Sequence, residues 1–178
     1  IDILSHPDEE VMIRIKRMLI SQATALVMPG VPGIYFHSLV GARNHHEGVK
    51  HTGINRMINR EKFNIHWLES MLSKESSLFK IIFDSYKRLI SIRINEKAFN
   101  PYGYFSFLDL DFRLFVVEQW CSENIERVLA IHNFSNELVH CTLPDNIILP
   151  MKDLLSHFEV DETRVILLDP YQMMWLKG

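Results

Sequence analysis

Apolar residues recur along the chain with two different periods, and the change falls near Asn100-Pro101. Before it, Val11, Ile15, Met18, Leu19, Ala23 and Leu26 repeat at helical spacing, which predicts an amphipathic helix ending ahead of Pro29, since a proline pushes the preceding residue out of helical space. His6-Pro7-Asp8-Glu9-Glu10 has the look of its start, with carboxylates where the positive end of the helix dipole favours them. Val31 to Phe36 is short, apolar and carries β-branched and aromatic residues, the pattern of a strand buried on both faces. A polar loop, His37 to Arg60, follows it. A short helical or turn segment is expected around Ile65 to Leu72. A second long helix then shows Leu78, Ile81, Ile82, Tyr86, Leu89 and Ile90 on one face, with Ser76 and Ser77 available as caps and an end near Asn95.

Beyond Pro101 the period becomes two. Phe112, Leu114 and Val116 alternate with polar positions, as do Leu129, Ile131 and Asn133, then Val139, Cys141 and Leu143, and finally Tyr171, Met173 and Trp175. Turn-like segments such as Ser122-Glu123-Asn124 and Ser135-Asn136-Glu137 separate them. The expected product is an α/β portion over residues 1–100, arranged helix-strand-loop-helix, followed by a small antiparallel β domain over 101–178. One parallel-type strand needs neighbours on both sides, and the first hundred residues do not contain them. The chain therefore reads as the end of something larger.

Composition narrows this little but usefully. At 178 residues the chain can bury a real core, as one ordinary domain or two small ones. Hydrophobic residues make up 47% and charged residues 23%, close to the soluble average, which sets disorder and fibrous repeats aside. A net charge of -3 provides no basic field to draw in nucleic acid. The longest apolar tract, Met18 to Phe36, is interrupted by Ser21, Gln22, Thr24, Pro29 and Pro32 too early for a membrane span. With Cys121 and Cys141 both in strand-like contexts and no basic-then-apolar leader, the expected setting is the reduced cytoplasm.

The segment "PGVPGIYF", Pro29 to Phe36, resembles the last strand of the catalytic (β/α)8 barrel in the alpha-amylase superfamily. The longer run "PGVPGIYFHSLVGARN" followed by "TGINRMINREKF" is similar more narrowly to the sucrose phosphorylase branch and its glucosylglycerate phosphorylase relatives, and "LLDPYQMMWL" resembles the close of that branch's C-terminal β domain. The similarity runs from about Asp8 to Leu176. It implies the C-terminal end of a (β/α)8 barrel followed by a β domain. The implied activity is retaining transfer of an α-glucosyl group between a glucoside and inorganic phosphate, with no metal or organic cofactor. A retaining route needs two carboxylates about 5 to 5.5 Å apart. The resemblance puts these on barrel strands ahead of this segment, so no residue of this chain is nominated as catalytic and the chain alone is expected to be inactive. A closed barrel takes about 250 residues, and one candidate strand is visible here. Asp8, Glu9 and Glu10 are explained by the helix start, and Glu47 and Glu61 have no defined partner.

In such a barrel the segment after a strand emerges at the face where substrate sits, which would deliver His37 to Arg60 to the rim of a glucosyl pocket. Arg56 resembles the arginine that holds the glucosyl ring in sucrose phosphorylases, where the segment reads more like G-R-x-I-N-R; Asn55 stands here in place of the glycine. The competing role for Arg56 is an ion pair that orders the loop. For Asn59 and Arg60 the alternatives are sugar contact and pinning of the turn, and for His37 a substrate contact or a ring satisfied by backbone groups. His45, His46 and His51 fit no metal-ligand spacing. Substrate-binding candidates are thus Arg56, His37 and Asn59. Partners are an α-glucoside and phosphate in the intact enzyme, with association through an exposed barrel face. A noncatalytic carbohydrate-binding or interaction module, or part of a hydrolase or transglucosylase, is the alternative.

Overall fold

The computed structural model describes residues 2–6, 8–121 and 126–178. Pro7 of the expected helix start and the Ser122-Glu123-Asn124 turn lie outside the described residues. Both long helices form as their periodicity predicts: α1 is Val11–Val27, and α5, the last helix, is Leu78–Asn95. The helix begins at Val11, beyond the acidic run, so no carboxylate stands in its first turn as expected; Glu9 Oε2 instead accepts the His6 amide at 2.8 Å ahead of it. Ile15, Met18, Leu19, Ala23 and Leu26 are buried on α1, and Ile82, Tyr86 and Leu89 on α5.

The region between these helices departs most from expectation. Val31 to Phe36 is not a strand: residues 31–35 are extended without a ladder partner among the described residues, and Phe36 opens a one-turn helix, α2 (Phe36–Leu39). Nor is the stretch buried on both faces, with Val31 83% exposed and Ile34, Tyr35 and Phe36 also exposed. Strand propensity expresses a fit to neighbouring strands, and no strand among the described residues pairs with this stretch. The polar loop also has more structure than its composition suggested. It contains α3 (His46–Thr52) and a 3₁₀ turn over Asn55–Asn59, and α4 (Ile65–Ser73) follows, capped by Asn64, whose side chain accepts the Trp67 amide at 3.1 Å.

Residues 1–19 and 33–88 make up one compact unit, and 20–32 with 89–178 a second. In the first, Gly41 has φ +66°, and a Cβ there would lie 2.5 Å from Ile82 Cδ1, so the turn after α2 requires glycine both for its backbone and for its close approach to α5.

The second unit contains β1 (Tyr104–Phe107), β2 (Leu114–Trp120), β3 (Arg127–Asn133), β4 (Val139–Thr142), β5 (Met151–Asp153), β6 (Glu159–Val160), β7 (Val165–Leu168) and β8 (Met173–Lys177). One antiparallel sheet runs β1-β2-β3-β8-β5-β6, and β4 pairs with β7 in a second. Alternation sends Val116, Leu129, Ile131, Met174 and Leu176 to a face where they form a core with Cys141, Ile166 and Leu168 of the small sheet. On the opposite face the Gln119 amide donates to the Val27 carbonyl, and Phe99 meets Trp175 edge-on at 5.2 Å. The sheet is thus covered on both sides. Phe112 and Tyr171, expected within strands, lie outside them; Phe112 is exposed and Tyr171 takes φ +57° in the turn before β8. Both cysteines are free. No helix among the described residues is long and apolar enough to cross a membrane.

Candidate functional site

Gly30, at φ +108°, turns the chain out of α1 into the extended stretch, which ends at Tyr35 with φ -86° and ψ 129°. After α2, Gly53 caps α3 in the left-handed conformation at φ 67°, and the chain enters the 3₁₀ turn that carries Arg56 and Asn59. Three donors from outside the turn hold its exit. The His45 amide donates to the Ile58 carbonyl at 2.7 Å, the Tyr35 hydroxyl to the Asn59 carbonyl at 2.7 Å, and His37 Nε2 to the Glu61 carbonyl at 2.8 Å. A carbonyl can only accept, so Nε2 of His37 carries a proton, and the other ring nitrogen is Nδ1. That Nδ1 is buried and has no partner among the described residues.

Arg56 is exposed, and its guanidinium makes no hydrogen bond or ion pair with the described residues. Among the described residues no ion pair from Arg56 orders the loop. The Asn59 carboxamide is likewise exposed and has no partner among the described residues, while its backbone carbonyl takes the Tyr35 hydroxyl. Of the His37 ring, Nε2 is satisfied by a backbone carbonyl and Nδ1 is buried without a partner among the described residues. Arg56 and Asn59 are brought together on one turn, and His37 supports the residue two positions beyond it.

Two further constellations escaped the sequence. Asp2 Oδ1 accepts from Arg14 Nη2 at 2.9 Å and Arg43 Nε at 3.1 Å, while Oδ2 accepts the Asn44 amide at 2.8 Å. Burial opposes ionisation of Asp2, but the Asn44 amide and the Arg43 guanidinium together hold its pKa below the ordinary carboxylate value. Beside it opens a cleft of about 610 Å³ whose lining includes Asp2, Arg43, His46, Glu61 and Trp67. The second is aromatic. Phe63 stacks on Trp67 at 5.8 Å, meets Phe79 edge-on at 6.0 Å and contacts His37 at 5.5 Å, while Tyr35 stacks on His37 at 5.0 Å. In the sequence Tyr35 has only the marks of a strand residue and Phe63 those of a motif position; their partners are distant in sequence and no local pattern announces them.

No family model matches the sequence. The fold has clear relatives among solved structures. The chain superposes on an Anoxybacillus alpha-amylase with a TM-score of 0.69 at 15% identity, covering 92% of this chain and 32% of that one. It superposes on isomaltulose synthase of Erwinia rhapontici with a TM-score of 0.67 at 20% identity, covering 96% and 39%. The fold is that of enzymes of the alpha-amylase superfamily. Within that class the sequence is similar to glucosylglycerate phosphorylases: 33% identical over 184 residues to that of Spirochaeta thermophila and 28% over 176 residues to that of Escherichia coli. These matches cover 97% and 99% of this chain but 31% of each relative, so the chain spans under a third of the length of the proteins it matches.

Proposed function

We propose that this chain is the C-terminal part of a retaining glucoside phosphorylase, which transfers an α-glucosyl group between a glucosylglycerate- or sucrose-type glucoside and inorganic phosphate. The observation that carries this reading is the extended, exposed and unpaired segment 31–35 in a chain that spans 31% of its phosphorylase relatives. A β-branched segment in strand conformation with open backbone groups is what a barrel stave is without its neighbours. Residues 1–100 belong to the barrel and 101–178 to the appended β domain. The two carboxylates, about 5 to 5.5 Å apart, come from the remaining length. The setting is cytoplasmic, and the exposed barrel face is the surface of association.

Arg56 is the principal sugar contact. Its guanidinium offers five N–H donors in a fixed plane, suited to vicinal hydroxyls, and none is committed to the described residues. The Asn59 carboxamide adds a donor and an acceptor on the same turn, and the His37 ring holds the exit of that turn through the Glu61 carbonyl.

The test is complementation. The portion of the Spirochaeta thermophila glucosylglycerate phosphorylase that this chain does not match is co-expressed with the chain, and glucose 1-phosphate formation from glucosylglycerate and phosphate is measured. Neither part alone is expected to be active, and the pair is. In the active pair Arg56→Lys, which keeps the charge but loses the planar fork, lowers kcat/KM on the order of a hundredfold, corresponding to about 3 kcal/mol. Release of glucose 1-phosphate by the 178-residue chain alone would refute the reading.

A further inference from the structure

The five-residue 3₁₀ turn that bears Arg56 has little means of holding itself. Its ends are closed by single i→i+3 bonds, the Met57 amide to the Ile54 carbonyl at 3.0 Å and the Arg60 amide to the Met57 carbonyl at 3.1 Å. Runs of this geometry are weak in isolation. Its exit is nevertheless fixed, because the carbonyls of Ile58, Asn59 and Glu61 each accept from a group outside the turn. Two of the three donors, Tyr35 and His37, lie two residues apart at the end of the extended segment, and their rings stack at 5.0 Å with an interplanar angle of 20°. The stack makes them one rigid piece. It links the place where the segment ends to the place where Arg56 is presented.

We infer that Tyr35 is a positioning residue for Arg56, its hydroxyl acting with the stacked His37 ring as a strut that holds the 3₁₀ turn in the orientation required for substrate. The value of that orientation to catalysis rests on the proposed sugar contact of Arg56; the strut itself does not. Tyr35 is exposed, so its ring is not retained to fill a core, and the hydroxyl is the atom that reaches across 24 positions of sequence.

Tyr35→Phe removes that one oxygen and keeps the ring. Amide hydrogen exchange is followed by NMR at Met57 and Arg60, with amides in the middle of α1 and α5 as internal references, and Arg56 Nε relaxation is recorded in the same samples. Exchange in the turn is expected to accelerate on the order of tenfold with the reference amides unchanged, and Arg56 Nε to become more mobile. His37→Gln, whose side-chain amide can still donate to the Glu61 carbonyl, is expected to retain most of the protection that His37→Leu loses. Unchanged exchange in Tyr35→Phe would overturn the inference, and so would acceleration of equal size in α1 and α5, since that is global destabilisation. The measurement uses no substrate, so its failure is distinct from failure of the complementation assay.

Discussion

Trp175 Nε1–H donates to His132 Nε2 at 3.1 Å, and on the other side of the ring Nδ1 lies 2.8 Å from Thr24 Oγ1. The Thr24 hydroxyl in turn donates to the Ile20 carbonyl at 2.8 Å, so His132 carries its proton on Nδ1 and is neutral. Full burial holds its pKa down at about 3. Because the unfolded value lies near 6.5, only the unfolded chain gains a proton as pH falls from there towards 3. The contribution of His132 is therefore complete above about pH 6.5 and is lost below it, by about 1.4 kcal/mol per pH unit. Urea unfolding at pH 7.5 and pH 5 is expected to show this slope, and His132→Asn to flatten it. Nothing in the sequence marked His132, which stands in an ordinary apolar alternation whose partners lie 108 and 43 positions away. Arg56 was visible as a candidate through the motif it stands in, but whether it pairs with a carboxylate is a tertiary fact that no spacing encodes.

Among the elements, the turn that follows α2 depends on Gly41. Gly41→Ala would place a methyl against Ile82 at a positive φ, and is expected to destabilise the chain by about 2 to 4 kcal/mol in denaturant titrations. The Asp2 carboxylate holds Arg43 and the Asn44 amide, the entry to α3. Asp2→Ala leaves these donors and Arg14 without their acceptor, at a cost of about 1 to 3 kcal/mol, and early exchange of the Asn44 amide would register it. α1 and α5 were legible because each repeats its apolar face over several turns. β2 and β3 were legible for the analogous reason, while β5 and β6, three and two residues long, are too short to display a period. Extended backbone at Val31 to Tyr35 was also legible, but pairing was not, since pairing belongs to two strands and only one is here.

For the molecule as a whole, the unit of residues 20–32 and 89–178 covers its main sheet on both faces, whereas the extended segment is left with open backbone groups and exposed apolar side chains. That contrast separates a part able to satisfy itself from a part that is not. The fold class and the relatives were legible from three short runs, since such runs combine backbone demands, as at Gly30 and Gly53, with particular side chains. The measurement that bears most directly on the account is hydrogen exchange at the Val31, Gly33, Ile34 and Tyr35 amides, in the chain alone and in complex with the unmatched portion of the Spirochaeta thermophila phosphorylase. The account predicts exchange near the unprotected rate in the free chain and strong protection on alternate amides in the complex, as a stave gains its ladders. Protection of those amides in the free monomeric chain, or none in an assembled complex, would contradict it.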